Sequence, residues 1–286
     1  MDAGNRRACR GLSRRNADPF PGKKGTFCFF QEKQNVPFLA VPFLAPFFPI
    51  LLFACKRHIL PYTFCMPRTI RASAADICYH VLNRGNARGT VFHSDGDYAA
   101  FMHLMREAGR RVPMRILAYC LMPNHFHLVL WPSGDGDLSR WMQWLLTSHV
   151  RRYHHHYAGS GHVWQGRFKA FPIQSDEHLL TVMRYVERNP VRSPSIAVSS
   201  ARMWPWSSAV TATPGIDRPP LDPGPVPRRR DWLAWVDSPL SAGDETAIRN
   251  CVSRGAPFGD ASWTDRVAGR LGLEASLRPR GRPRSR

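Results

Sequence analysis

A chain of 286 residues with 40 basic against 21 acidic side chains carries a formal charge of +19 and a pI near 10.6. Such a balance favours a polyanionic partner, of which nucleic acid is the commonest, although basic tails alone produce the same sum. Seven cysteines, odd in number and without a Cys-x-x-Cys pair, exclude a disulfide framework and a thiolate zinc knuckle and fit a reducing cytoplasm.

In chain order, the segment from Gln34 to Cys55 is uncharged and apolar enough for a membrane span. Pro37, Pro42, Pro46 and Pro49 oppose a regular helix there, and the position lies too far inward for an ordinary signal peptide. Met66-Pro-Arg stands just before the first motif. Residues 1–65 are therefore read as a non-native or disordered extension from a start codon set too early, with a membrane anchor as the alternative.

Residues 77–83 predict a strand, closed by Arg84-Gly85-Asn86, and 97–110 an amphipathic helix with Phe101, Leu104, Met105 and Ala108 on one side. Two strands follow, 114–121 and 125–131, joined at Pro123-Asn124. A second helix covers 138–157, and 161–169 reads as a hairpin-like loop. From Asp176, Leu179, Leu180, Met183 and Val186 recur at helical spacing, with Asp176 or Ser175 as N-cap and Pro190 as the stop. This order predicts an α+β fold, a mainly antiparallel sheet with helices on one face. Beyond it, 211–230 holds six prolines and reads as an extended linker, and 231–286 as a small helical segment with a basic tail.

The chemistry concentrates in His125-Phe126-His127. On a strand, side chains two apart share a face, so both imidazoles project together while Phe126 enters a core on the other side. Two converging imidazoles make half of a divalent-metal site, and a strand with two hydrogen-bonded histidines fits the same letters. Sixty residues on, Tyr185 and Asn189 lie four apart and share a helix face. A phenol and an amide oxygen brought over the histidine strand would complete a three-ligand metal site with a nucleophile beside it; a core-edge tyrosine is the plainer reading. Trp164, Arg167, Phe168 and Lys169 interleave aromatic and cationic groups, as in surfaces that stack on unpaired bases, and also as in a turn that packs its aromatics inward. His154–His156 point in different directions on a helix and cannot chelate one ion well.

Five ordered stretches carry a family resemblance: Tyr79-His-Val-Leu-Asn-Arg-Gly-Asn86, His125-Phe-His127, Gly161-His-Val-Trp-Gln-Gly-Arg-Phe-Lys169, Tyr185-x-x-x-Asn189-Pro-Val191 and Trp204-Pro-Trp-Ser-Ser208. Together they resemble the HUH signature of single-tyrosine, insertion-sequence 200-like transposases, especially REP-associated tyrosine transposases. The resemblance spans 66–210 and implies a ferredoxin-like fold whose tyrosine helix closes over the histidine face. It implies Tyr185 as nucleophile, and His125, His127 and Asn189 as ligands of Mg²⁺ or Mn²⁺. Arg84, Trp164, Arg167, Lys169, Arg184 and Arg188 are the candidate DNA contacts. The implied activity is cleavage and rejoining of single-stranded DNA at hairpin-flanked sites through a 5′-phosphotyrosine. The chain would act in the cytoplasm, without a membrane, as a monomer or homodimer. A catalytically silent DNA-binding regulator of the same fold and a metal-dependent hydrolase are the rival readings.

Overall fold

The computed structural model describes residues 73–210 and 214–278. The expected extension 1–65, with its apolar stretch, lies outside the described residues, as does the end of the basic tail. Four strands, β1 (Cys78–Arg84), β2 (Met114–Met122), β3 (His125–Pro132) and β4 (Lys169–Ile173), form one antiparallel sheet in the order β2-β3-β1-β4. Helix α1 (Asp95–Arg111) follows β1, and α2 (Asp137–Tyr157) follows β3. The succession β1-α1-β2-β3-α2-β4, with the first and third strands central, is the ferredoxin-like arrangement.

Alternation along the strands sorts side chains between two cores. Tyr79, Val81, Phe126, Leu128 and Leu130 pack with Phe101 and Met105 of α1 and Trp141 and Leu145 of α2. Cys78, Val129, Phe171 and Ile173 lie in the second core with Leu179, Leu180, Met183 and Val186 of α3 (Glu177–Glu187). That second core also takes Trp232 and Val236 of α5 (Trp232–Asp237) and Ile248 of α6 (Ala242–Arg254). So α1 and α2 cover one face, and the tyrosine-bearing helix closes the other.

The loop reading of 161–169 stops where β4 begins. Five residues, Pro172 among them, are too few to show an alternation, and proline is tolerated because β4 is an edge strand. Trp204-Pro-Trp-Ser-Ser208 lies along the opposite edge, that of β2. Leu121 N–H donates to the Trp206 carbonyl at 2.9 Å, and Ser208 N–H to the Tyr119 carbonyl at 2.9 Å. The proline-rich segment 214–230 forms neither helix nor strand and continues along this edge, with Asp222 N–H donating to the Ile116 carbonyl at 2.8 Å. An unpaired strand edge invites association with other chains, and this coverage removes it. Among the described residues, no helix is long and apolar enough to cross a membrane.

Candidate active site

Tight local geometry fixes the approach to the site. At Gly85, just after β1, a Cβ would stand 2.2 Å from the Gly89 carbonyl oxygen, so only glycine fits. Helix α3 starts at Asp176, whose carboxylate accepts from His178 N–H at 2.8 Å, and it ends at Glu187. Arg188 stays helical, and Pro190 opens a further turn, α4 (Asn189–Arg192), where its missing N–H costs nothing. Pro190 therefore restarts the chain as a helix where a full stop was expected. The Asn189 amide donates to the carbonyls of Tyr185 and Val186, both at 3.1 Å, which caps α3 and holds the amide oxygen on the other side.

Phe126 is buried in the α1–α2 core, and His125 and His127 project to the α3 face, as the strand period requires. Their ring centroids are 5.1 Å apart, and that of Tyr185 is 6.1 Å from His127. His125, His127, Tyr185 and Asn189 line one cavity of about 310 Å³ together with Arg84 and Arg192. The Arg192 guanidinium lies 4.2 Å from the centre of the Tyr185 ring and donates to Asn189 Oδ1 at 3.0 Å.

The hydrogen bonds to each imidazole bear on which nitrogen is free. Asn124 donates through its amide nitrogen to the Arg88 carbonyl at 3.0 Å, so its oxygen faces His125 Nδ1 at 2.6 Å. That oxygen can only accept, which puts the His125 proton on Nδ1 and leaves Nε2 with its lone pair. His127 Nδ1 lies 2.8 Å from Nε2 of His80, a fully buried histidine on β1 whose ring stacks on it at 5.0 Å. If His127 donates in this pair, its Nε2 is likewise free. His80 then carries its own proton on Nδ1, a buried atom with no partner among the described residues. Burial drives all three imidazoles towards the neutral form: His80 to about 3, and His125 to about 4 with help from Arg84 and Arg192. His127 falls well below the ordinary value, through burial first and then the unfavourable proximity of His80, His125, Arg192 and Arg84 to a second positive charge.

Two neutral imidazoles and one amide oxygen suit a divalent cation, and they leave its full charge to face an anion. Among the described residues, no cluster of three His, Cys, Asp or Glu side chains forms a metal cage, so the amide would be the third protein ligand.

The candidate DNA contacts divide. Arg84 lies in the cavity itself, while Arg167 and Lys169 line a neighbouring cavity of about 410 Å³ that shares Leu82, Arg84 and Val252 with the first. Trp164 requires correction. It is 5% exposed, pairs with Gly85 through a backbone bridge and packs edge-on against Phe126 at 5.2 Å, so it is a core residue and not a stacking platform. Trp164→Ala is expected to cost about 3–5 kcal/mol of stability. A chemical denaturation curve checks this, and an unchanged midpoint with weakened DNA binding would restore the surface reading.

Arg184 and Arg188 also need correction. They are four apart on the helix side that faces α5, about 100° and about 60° around the helix from Tyr185 in the same direction. Arg184 donates to Ser238 Oγ and the Pro239 carbonyl, each at 2.8 Å, and stacks on Trp235, while Arg188 donates to the Val236 and Asp237 carbonyls. These bonds tie α3 to the C-terminal end of α5. Arg192, seven residues after Tyr185, takes the pocket side instead; periodicity would have found it had Pro190 not been read as a stop. His80 is the other omission. It stands diagonal to His127 across the β1–β3 register, which pairs Leu82 with His127, and no spacing in the sequence encodes that register.

Residues 73–189 match the family described as transposase IS200-like. Two curated relatives are similar to this chain. A protein of Haemophilus influenzae is 27% identical over 119 residues, covering 38% of this chain and 66% of its own length. One of Escherichia coli K12 is 26% identical over 133 residues, covering 46% of this chain and 74% of its own length. Both are named as REP-associated tyrosine transposases, the first provisionally. A solved structure described as a REP-associated tyrosine transposase bound to a REP hairpin aligns with 22% identity and a TM-score of 0.38, over 55% of this chain and 94% of that one. That likeness of shape is too loose to bear on the site.

Proposed function

We propose that the chain cleaves and rejoins single-stranded DNA at hairpin-flanked sites, with Tyr185 as the attacking group. The observation that carries this reading is one cavity holding the Tyr185 ring, the His125–His127 pair and Asn189. The matched family and the names of the relatives support a transposase. Tyr185 oxygen attacks the phosphorus, the bond to the 3′-oxygen breaks, and that oxygen leaves as a 3′-hydroxyl. The resulting 5′-phosphotyrosine keeps the energy of the phosphodiester, so a second 3′-hydroxyl can reverse the step and join strands.

His125 and His127 through Nε2, with Asn189 through Oδ1, would hold Mg²⁺ or Mn²⁺. When bound, such an ion polarises the phosphoryl oxygen as a Lewis acid. Imidazole ligands favour Mn²⁺ and cellular abundance favours Mg²⁺. Arg84 and Arg192 neutralise the phosphate, and Arg192 also fixes the plane of the tyrosine ring. His80 sets the orientation of His127, as outer partners of ligating histidines do. We place the activity in the cytoplasm, in a monomer or homodimer; buried free thiols at Cys78, Cys120 and Cys251 suit a reducing compartment.

Incubating the protein with labelled single-stranded flanks of its own gene and Mn²⁺ or Mg²⁺ tests the reading. A denaturation-resistant protein–DNA adduct is expected. Binding without an adduct or cut product would reveal a silent regulator, and cleavage without an adduct a hydrolase. A second expectation concerns His80→Phe, which keeps a ring but deletes the bond to His127. It should weaken Mn²⁺ binding about 10–100-fold in a calorimetric titration. Unchanged affinity in the folded variant would remove His80 from that role.

A further inference from the structure

The cavity around Tyr185 is not closed by the family-matched segment alone. Arg249 and Val252, both on α6, complete its lining, and α6 lies more than fifty residues beyond the end of the match at 189. Val252 also borders the neighbouring cavity with Arg167 and Lys169, so α6 stands where the two cavities meet. One carboxylate organises this junction. Glu245 Oε1 accepts from Arg192 Nη1 at 2.5 Å and from Arg249 Nη2 at 2.8 Å. Arg192 in turn holds Asn189 Oδ1 and stacks on the Tyr185 ring. A continuous polar chain therefore runs from α6 to the tyrosine.

Charge gives this chain a direction. Arg84, Arg192 and Arg249 bring three positive charges to the cavity, and Glu245, bonded to two of them, brings one negative charge, leaving two in excess. The Arg249 side chain is 66% exposed at the rim, where a pair with one carboxylate contributes little to stability. An exposed guanidinium held in place by a carboxylate beside a reactive cavity suits a phosphate better than it suits the fold.

We propose that α6 is part of the active site: Arg249 contacts a phosphate of the bound single strand next to the scissile one, and Glu245 positions Arg249 and Arg192 for it. This rests on the reading of the cavity as a single-strand DNA site, and it assigns part of that site to the C-terminal segment. The strand would pass from the tyrosine cavity across the ridge of Leu82, Arg84 and Val252 into the cavity of Arg167 and Lys169.

The test is a salt titration of full-length protein with fluorescein-labelled oligothymidylate, comparing Arg249→Ala and Arg249→Gln with Arg266→Ala. Arg266 is an exposed residue of α7 (Ala261–Leu271) that lines neither cavity. Losing one phosphate contact should lower the slope of log affinity against log salt by about 0.7 for the Arg249 variants and leave it unchanged for Arg266→Ala. An unaltered slope in the folded Arg249 variants, or an equal fall in the Arg266 control, overturns the proposal. Glu245→Ala should keep or raise affinity yet slow adduct formation at saturating gene-flank DNA by about tenfold, within the range that misplacing reactive groups produces. Equal loss of affinity and rate would make Glu245 merely structural. Adduct formation by the unaltered chain judges the reading of the cavity separately: with no adduct but a reduced slope, the nuclease reading fails and the phosphate contact stands.

Discussion

Tyr185→Phe should bind hairpin DNA as the unaltered chain does and form no covalent adduct. The change deletes only the hydroxyl. The ring that Arg192 stacks on, and the edge contacts to His80 and His127 at 6.2 and 6.1 Å, remain. The helix cap from Asn189 uses the Tyr185 backbone carbonyl and is also unaffected. Tyr153→Phe and Tyr157→Phe should still form the adduct. Both residues lie on α2, the helix that covers the sheet face opposite the histidine pair, and their hydroxyls are engaged away from that pair: Tyr153 with His93 at 2.9 Å and Tyr157 with Asp97 at 2.6 Å. Gel mobility under denaturing conditions reads all three variants. An adduct in Tyr185→Phe would remove this residue as the nucleophile.

The second large effect falls on the histidines. His125→Ala and His127→Ala should each lower strand cleavage by about 10²-fold or more, since each removes stabilisation of charge that develops on the phosphate. DNA affinity should persist, because binding to the backbone comes mainly from cations that neutralise phosphates. The two variants differ in their cost to the fold. Removing His127 leaves the buried Nε2 of His80 without its partner, a loss of about 1–3 kcal/mol. Removing His125 frees only the half-buried Asn124 oxygen, so His125→Ala is the cleaner probe. Cleavage rates with and without chelator check the expectation, and undiminished cleavage by the double variant in chelator would exclude the metal site.

Strong local periods made the centre of the site legible. A period of two put His125 and His127 on one face of β3, and a period near four put Tyr185 and Asn189 on one face of a helix; the fold brought these two faces together across one cavity. What the letters hid depended on register or on distant chain. His80 reaches His127 only through the β1–β3 pairing, and Arg249 reaches the cavity only because α6 packs on the sheet. Arg184 and Arg188 misled because they stand close to Tyr185 in sequence, whereas their guanidinium groups are taken up by carbonyls at the C-terminal end of α5. Trp164 misled differently: aromatic and cationic residues interleave in the same way whether the aromatic stacks on a base or fills a core. The backbone bridge to Gly85 turned Trp164 inward, while Arg167 and Lys169 stayed at the surface cavity.

We propose that Tyr185, on α3, carries the covalent link. Trypsin cuts after Arg184 and Arg188, so the adduct digested with trypsin and nuclease should yield the peptide Tyr185-Val-Glu-Arg188 bearing a phosphodeoxynucleotide on its tyrosine. Mass spectrometry that finds this modified peptide supports the account. A phosphotyrosyl link mapped to any other peptide contradicts it.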